Sequence, residues 1–230
     1  MKAMILAAGK GERMRPLTLT TPKPLLVAGG KPLIVHHLEH LRDAGFRDVV
    51  INHAWLGEQI EQQLGNGKQF GLSIRYSAEG EPLETAGGIV RALPLLTDRG
   101  DDWFLVINGD IWSDVSLSDL QPPEQDNCLA VLVMTDNPEH HPEGDFHLEA
   151  DGALITSGGS KLTFTGISLL HRKLFDGLDD TSGKLGPVLR KAMASHQVRG
   201  LYHGGRWVDV GTPARLAKLD RQLADGRHQA

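Results

Sequence analysis

Short apolar runs alternate with amphipathic helical segments through the first 135 residues, and this alternation restricts the possible folds more than any other feature. The apolar runs predict strands at Ala3–Ala7, Asp48–Asn52, Leu72–Tyr76, Trp103–Ile107 and Leu129–Met134. Helical periodicity lies between them, and Gly45 ends the first helix, whose predicted core-facing stripe is Leu33, Ile34, His37, Leu38 and Leu41. The alternation predicts an α/β fold with a mixed, mostly parallel central sheet flanked by helices.

Turn-forming residues and short alternating segments replace this pattern after about Asp136. They predict a β-rich region, and a helix over Leu185–Ser195 follows it. The chain then predicts strands at Val198–Tyr202 and Arg206–Val210 and a last helix from Pro213 to about Ala224. Because there is no internal repeat or low-complexity linker, we expect a single domain over 1–230, made of parts 1–135 and 136–211 and a C-terminal helix in 212–230.

The composition excludes several classes of partner. A net charge of −5 argues against a nucleic-acid-binding surface, which usually carries a basic excess. No run approaches the about 20 apolar residues that cross a bilayer, so we expect no membrane partner. The single cysteine, Cys128, cannot form an internal disulfide, which is typical of a reducing compartment such as the cytoplasm. Because Cys128 lies in an apolar run, we expect it to be buried.

The segment from Gly9 to Thr18 follows the first predicted strand, where ligands bind in open α/β sheets. Glycines let backbone N–H groups approach a ligand closely, and Arg13 and Arg15 add positive charge for phosphate oxygens. The string lacks the Walker pattern G-x-x-x-x-G-K-[S/T], and Met14 breaks the dinucleotide pattern G-x-G-x-x-G. Taken alone, the remaining G-x-G is equally compatible with a structural turn.

The fuller string LAAGKGERMRPLT resembles the signature of sugar-1-phosphate nucleotidylyltransferases. The motifs TPKPLL, EPLETAGGI, VINGDIW, FTGI and WVDVGTP follow in that family's order, so the resemblance covers nearly the whole chain. It implies a Rossmann-like nucleotidyltransferase fold with a small β-rich sugar-binding lobe. It also implies an enzyme that joins a nucleoside triphosphate to a sugar 1-phosphate and releases pyrophosphate.

Within this family, the compact length is most similar to the muramate-1-phosphate uridylyltransferases of bacterial cell-wall recycling. The implied partners are UTP and N-acetylmuramate 1-phosphate, and the missing assembly domain favours a monomer. Two alternatives stay open: a guanylyl- or thymidylyltransferase for mannose, heptose or glucose 1-phosphate, and a non-catalytic regulatory subunit that binds sugar nucleotides. A regulatory subunit is expected to lose catalytic residues that this chain keeps.

The resemblance implies a role for individual residues at the nucleotide. Arg13 is expected on the departing pyrophosphate and Lys23 on the α-phosphate. The complete predicted nucleotide-binding set is Ala8, Gly9, Gly11, Glu12, Arg13, Lys23, Glu81, Thr85 and Asn108. Pro82 and Leu83 belong to the same base-reading loop, in which Glu84 stands where the family usually has glycine.

A metal site is the next implication of the resemblance. Asp110 follows a predicted strand and Asp209 lies at the end of another, and two carboxylates that converge there supply the oxygen ligands of Mg²⁺. With Arg13 and Lys23 they make up the predicted catalytic set. For Asp209, which precedes Gly-Thr-Pro, a helix-capping role is the alternative.

The sugar side is predicted from Gly144, Lys161 and Thr165. Gly144 and Thr165 match family positions on the sugar side. Many relatives also carry a Glu-Lys-Pro element before the strand of the FTGI motif. This chain lacks that element and has Lys161 there instead. We expect Lys161 to pair with the carboxylate of a lactyl substituent. The histidines His36, His37 and His40 are not expected to form a metal site, because neighbouring helix residues point in different directions.

Overall fold

Residues 1–124 and 127–227 are described in the computed structural model. In chain order, the strands in this part of the chain are Lys2–Leu6 (β1), Val27–Ala28 (β2), Lys31–Pro32 (β3), Asp48–His53 (β4), Ser73–Ala78 (β5), Trp103–Asn108 (β6), Ile111–Ser113 (β7), Ala130–Thr135 (β8), Phe146–Leu148 (β9), Leu154–Ile155 (β10), Lys161–His171 (β11), Val198–Tyr202 (β12) and Trp207–Asp209 (β13). The α-helices are Leu33–Asp43 (α1), Gly57–Leu64 (α2), Glu84–Leu96 (α3), Leu185–Ala194 (α4) and Pro213–Arg227 (α5).

The central sheet is mixed and confirms the predicted α/β fold. Strand β1 lies between β4 and β6 and is parallel to both, and β5 continues the parallel order beyond β4. On the other side β11 runs antiparallel to β6 and to β8, while β12 is parallel to β8. Elements from both predicted parts of the chain therefore contribute to one nine-stranded sheet.

Helices cover both faces of this sheet because its strands are apolar on both sides. In β1, Ile5 is buried in the cluster that contains Leu38 of α1 and Ile60 of α2. Its neighbour Met4 points to the opposite face, into the cluster that contains Ile89 of α3. The five residues predicted as the stripe of α1 are its buried residues: Leu33, Ile34, His37, Leu38 and Leu41.

The predicted elements differ from the observed ones mainly at their ends. The β-rich region is confirmed, and β9 and β10 extend the central sheet beside β11. The strand predicted over 206–210 is shorter, and it pairs with β7, which was not predicted, instead of the central sheet. The last helix continues three residues beyond the predicted end, and positions 228–230 of the predicted C-terminal segment lie outside the described residues.

Helix α5 packs against the segment that follows β1. Its residues Leu216 and Leu219 share a buried cluster with Met14, Leu33 and Val210. The N–H of Arg215 bonds to the Thr212 hydroxyl at 3.3 Å, which caps the first turn. Within the part of the chain that the structure describes, no helix is both long enough and apolar enough to span a bilayer.

Two predictions about buried groups are confirmed. Cys128 is buried, and burial raises the pKa of its thiol. His37 lies in the core face of α1, where burial lowers the pKa of its imidazole to about 4. Its neighbour His36 turns away and contacts the Ala28 carbonyl through Nε2, at 2.8 Å.

Candidate active site

Four parallel strands end at one edge of the sheet, which we call the carboxyl edge. Strands β1, β4, β5 and β6 end there at Leu6, His53, Ala78 and Asn108. The segments that follow β1, β5 and β6, together with Asn52 of β4, line a cavity of 670 Å³. Every predicted nucleotide-binding residue lines this cavity: Ala8, Gly9, Gly11, Glu12, Arg13, Lys23, Glu81, Thr85 and Asn108. The structure therefore brings the complete predicted set to one place.

The segment after β1 forms one wall of the cavity. Gly11 has a φ of +62°, and a Cβ there would lie 2.8 Å from Cγ2 of Thr18, so both backbone conformation and space require glycine. The Thr18 hydroxyl donates to the Gly11 carbonyl at 2.7 Å. Met14 is fully buried, whereas the side chain of Arg13 is exposed and, among the described residues, has no hydrogen-bond or ion-pair partner. A rigid backbone thus presents an available guanidinium.

Lys23 is almost completely buried at the floor of the cavity. Only 8% of its surface is exposed, and its Nζ lies 2.6 Å from Oδ2 of Asp110. A buried ammonium without a partner is unfavourable, and the Asp110 carboxylate supplies that partner. The ion pair fixes the ammonium between the segment after β1 and the turn after β6.

A buried polar relay that was not predicted joins the two walls. The Asn52 side chain accepts from the Ala7 N–H at 2.9 Å and donates to Oε1 of Glu79 at 2.6 Å. The other oxygen of Glu79 accepts from the Leu83 N–H at 2.9 Å. Both polar residues stand at the carboxyl ends of parallel strands, which is the signal that would have identified them. The relay fixes the distance between the phosphate-facing loop and the base-reading loop.

The predicted base-reading loop forms the opposite wall. Glu81, Pro82, Glu84 and Thr85 line the cavity, whereas Leu83 does not. Glu84 begins α3 with a φ of +60°, a backbone conformation that favours glycine. The glycines that follow allow close packing: a Cβ on Gly88 would lie 2.4 Å from Oε1 of Glu79.

A second cavity of 380 Å³ adjoins the first. The two cavities share Arg13, Asn108 and Asp110. The other residues that line the second cavity are Ile111, Pro138, His140, His141, Asp145, Thr163, Phe164, Thr165, Trp207 and Asp209. The shared residues mark the junction at which ligands in the two cavities would meet.

Asp110 and Asp209 converge at this junction, as predicted. Strand β13 ends at Asp209, and the Val210 N–H donates to the Asp110 carbonyl at 2.9 Å. The Asp209 carboxylate lies 2.9 Å from a guanidinium nitrogen of Arg215 and 3.4 Å from Nε2 of His140. It does not cap α5, because Thr212 has that role.

The donor chemistry of these two carboxylates fits a hard divalent cation. Among the described residues no group of three or more His, Cys, Asp or Glu side chains forms a complete metal cage. Mg²⁺ characteristically takes one or two protein carboxylates and fills its other positions with phosphate oxygens and water. A pair of carboxylates beside two ligand cavities matches that pattern.

The predicted sugar-binding residues do not all reach the second cavity. Thr165 lines it, and its hydroxyl donates to the Val133 carbonyl at 2.8 Å. Gly144 and Lys161 line neither of the two cavities. Instead, the Lys161 carbonyl accepts from the Asn137 amide at 2.9 Å, and a Cβ on Gly144 would lie 2.7 Å from Oδ1 of Asn137.

Other polar residues that were not predicted to bind ligand line the second cavity instead. His140 contacts the Arg215 guanidinium, and His141 lies 3.2 Å from Oδ1 of Asp145. The second oxygen of Asp145 accepts from the Phe164 N–H at 2.8 Å. Their signal in the sequence was weak, because a Pro-bounded loop with two histidines more often faces solvent.

The cavities together can hold two phosphate-bearing ligands with their phosphates adjacent. The first has backbone amides, Arg13 and Lys23 for a polyanion, and the second has polar groups for a smaller, hydroxyl-rich ligand. No serine or cysteine nucleophile lines the junction within the described chain. The arrangement therefore suits direct transfer between two bound ligands, aided by positioning and charge.

Comparisons with known proteins agree with this geometry. A family model described as nucleotidyl transferase matches residues 2–146. The N-acetylmuramate alpha-1-phosphate uridylyltransferase of Neisseria meningitidis serogroup B is 51% identical to this chain, covering 94% of it and 95% of that protein. The protein of the same name from Caulobacter vibrioides is 32% identical, covering 97% of each.

A solved structure shows the same fold. HddC from Yersinia pseudotuberculosis superposes with a TM-score of 0.81 at 19% identity, covering 96% of this chain and 99% of that one. The motifs, the mixed sheet and the paired cavities thus agree with the family match and the two close relatives. This chain belongs to the nucleotidyl transferase family.

Proposed function

We propose that the protein transfers the uridylyl group of UTP to N-acetylmuramate α-1-phosphate, giving UDP-N-acetylmuramate and pyrophosphate, in peptidoglycan recycling. The observation that carries this proposal is the junction of the two cavities at Arg13, Asn108 and Asp110. We choose uracil as the base and N-acetylmuramate as the sugar because two relatives are named for this activity.

In this reaction a phosphate oxygen of the sugar phosphate attacks the α-phosphorus of UTP. The bond from the α-phosphorus to its bridging oxygen breaks, and pyrophosphate leaves with the bonding electrons. Backbone N–H groups around Gly9 and Gly11 and the guanidinium of Arg13 bind the β- and γ-phosphates. The buried ammonium of Lys23 stabilises the charge that grows on the α-phosphate oxygens in the transition state.

Asp110 and Asp209 would hold Mg²⁺. When bound, Mg²⁺ supplies positive charge that screens the repulsion between the two phosphate groups. Lys23 holds the Asp110 carboxylate at the junction before substrates bind, and Arg215 holds that of Asp209. Both carboxylates are thereby oriented in advance.

On the sugar side, Thr165 and the loop that carries His140 and His141 line the cavity that we assign to the sugar phosphate. Gly144 lies close to the Asn137 side chain, whose amide also donates to the Lys161 carbonyl. Because Lys161 does not line this cavity, the lactyl carboxylate of the muramate must extend beyond it to reach the Lys161 side chain. We propose that the protein acts as a monomer in the cytoplasm, where its single cysteine stays reduced.

The test is pyrophosphate release with Mg²⁺, using UTP, GTP or dTTP against N-acetylmuramate, N-acetylglucosamine, glucose and mannose 1-phosphates. The expected result is the highest kcat/KM for UTP with the muramate. Preference for another pair would assign the protein to a different substrate and keep the transfer chemistry. Absence of turnover with every pair, together with measurable UTP binding, would identify a regulatory protein instead.

A further inference from the structure

We infer that the Glu84 carboxylate binds the ribose hydroxyls of the nucleotide and selects ribonucleotides over 2′-deoxyribonucleotides. This inference deepens the proposed function, because it assumes that the 670 Å³ cavity holds a nucleoside triphosphate. It is carried by three features of Glu84: its backbone conformation, its place in the cavity wall and its unpaired carboxylate.

The backbone of Glu84 is unfavourable for a residue with a side chain. Its φ of +60° lies in the left-handed region, which glycine adopts without steric cost. Only two other non-glycine residues of the described chain have a positive φ, Leu56 and His196, and neither lines either of these two cavities. A strained conformation that persists at a ligand cavity is typical of a residue whose side chain has a task there.

Three carboxylates belong to the cavity wall formed by 79–85, and they differ in their partners. Both oxygens of Glu79 accept hydrogen bonds inside the relay from Asn52 to Leu83. Glu81 is 89% exposed and lies 3.8 Å from Nζ of Lys10 on the opposite wall. Glu84 is exposed and has no hydrogen bond or ion pair within the described residues, so its two oxygens are available to a ligand.

Charge decides which part of a nucleotide can approach Glu84. The triphosphate is repelled by the acidic wall and attracted to Arg13 and Lys23, which places the uncharged nucleoside beside Glu84. The two carboxylate oxygens can accept from the two vicinal ribose hydroxyls. Uracil is a poor alternative, because its single N–H donor is flanked by carbonyl oxygens that the carboxylate would repel.

A helix-stabilising role is the competing explanation, since Glu84 lies in the first turn of α3. Glu58 provides a matched control, because it is an exposed acid in the first turn of α2 and lines neither cavity. Any effect of helix charge alone would be shared by both residues. Discrimination at the 2′-hydroxyl would be confined to Glu84.

The experiment measures the dissociation constants of UTP and 2′-deoxy-UTP for the wild type, Glu84→Gln, Glu84→Gly and Glu58→Gln. We expect the wild type and Glu58→Gln to bind UTP at least tenfold more tightly than 2′-deoxy-UTP, as a charge-assisted hydrogen bond implies. In both Glu84 variants the ratio should fall below threefold, mainly through weaker UTP binding. GTP and 2′-deoxy-GTP should show the same loss of discrimination.

A ratio that persists in Glu84→Gln would overturn the inference, and so would a wild-type ratio below twofold or the absence of nucleotide binding. Failure of the proposed function gives a different result. In that case the ratio depends on Glu84, while the wild type releases no pyrophosphate from UTP and N-acetylmuramate 1-phosphate.

Discussion

Replacing Lys23 by alanine tests the assignment of the transition-state cation. Lys23 is 8% exposed and its ammonium lies 2.6 Å from Oδ2 of Asp110, so the charge is fixed before any substrate arrives. A fixed charge in a site shielded from water needs no reorganisation when charge develops on the α-phosphate. We therefore expect the loss to fall on kcat, with a smaller change in the KM for UTP.

The size of the effect follows from the loss of one oriented donor, about 2–4 kcal/mol. This corresponds to a decrease in kcat of roughly 30- to 1000-fold. The matched control is Lys31→Ala, which also removes a lysine from an ion pair, with Glu39, but lines neither cavity. Its kcat should stay within about twofold of the wild type, as expected for a partly exposed ion pair.

The assay is steady-state pyrophosphate release, combined with thermal unfolding to show that each variant is folded. Lys23→Ala also leaves the Asp110 carboxylate unpaired, so some loss of stability is expected even if the fold is kept. A folded Lys23→Ala protein with less than a fivefold decrease in kcat would refute the role. So would a large effect confined to the KM for UTP, because this would mean uniform binding of substrate and transition state.

Three further predictions concern other parts of the molecule. His37 has a pKa of about 4 in the fold, so between pH 6.5 and 4 the unfolded chain binds more protons than the folded one, and the free energy of unfolding decreases as the pH is lowered. In urea unfolding, His37→Leu should remove about 2 kcal/mol of the decrease between about pH 7 and pH 5. Gly166→Ala should lower kcat/KM for both substrates more than tenfold, because its Cβ would lie 2.6 Å from Nδ2 of Asn108; Gly177→Ala, with a similar φ and open space, should change it less than threefold. Glu79→Gln should weaken UTP binding about tenfold in titration calorimetry by loosening the base-reading loop, and unchanged affinity would contradict a positioning role.

The nucleotide half of the site could be predicted because the motifs that carry the family resemblance lie in short segments next to the strand ends. Gly11 must be glycine in its backbone conformation, and the segment that contains it follows directly after β1. The carboxyl ends of parallel strands meet at one edge, so the placement of Asn108 follows from the fold class alone. Glu84 also stood out in the sequence, as a side chain at a position where glycine was expected.

The sugar half depends on long-range pairing that local sequence does not reveal. Lys161 pairs with His147 near the edge of the sheet, whereas Thr165 lies further along β11, beside the junction. A register shift between Phe164 and Ser168 separates the two halves of that strand. Lys161 was predicted to bind the sugar because it lies near the missing Glu-Lys-Pro element in sequence. The structure instead brings His140 to the cavity, from the connection between β8 and β9. Contacts between segments distant in sequence therefore determine which side chains line the second cavity.

The pairing of charges at the junction explains why this site can be assembled without ligands and still bind two polyanions. Asp110 is paired with Lys23 and Asp209 with Arg215, so neither carboxylate has to be held against uncompensated repulsion. Arg13 lines both cavities and has no acidic partner among the described residues. Because Arg13 contacts both cavities and is not paired with a carboxylate of the described chain, its removal should weaken the binding of both substrates together.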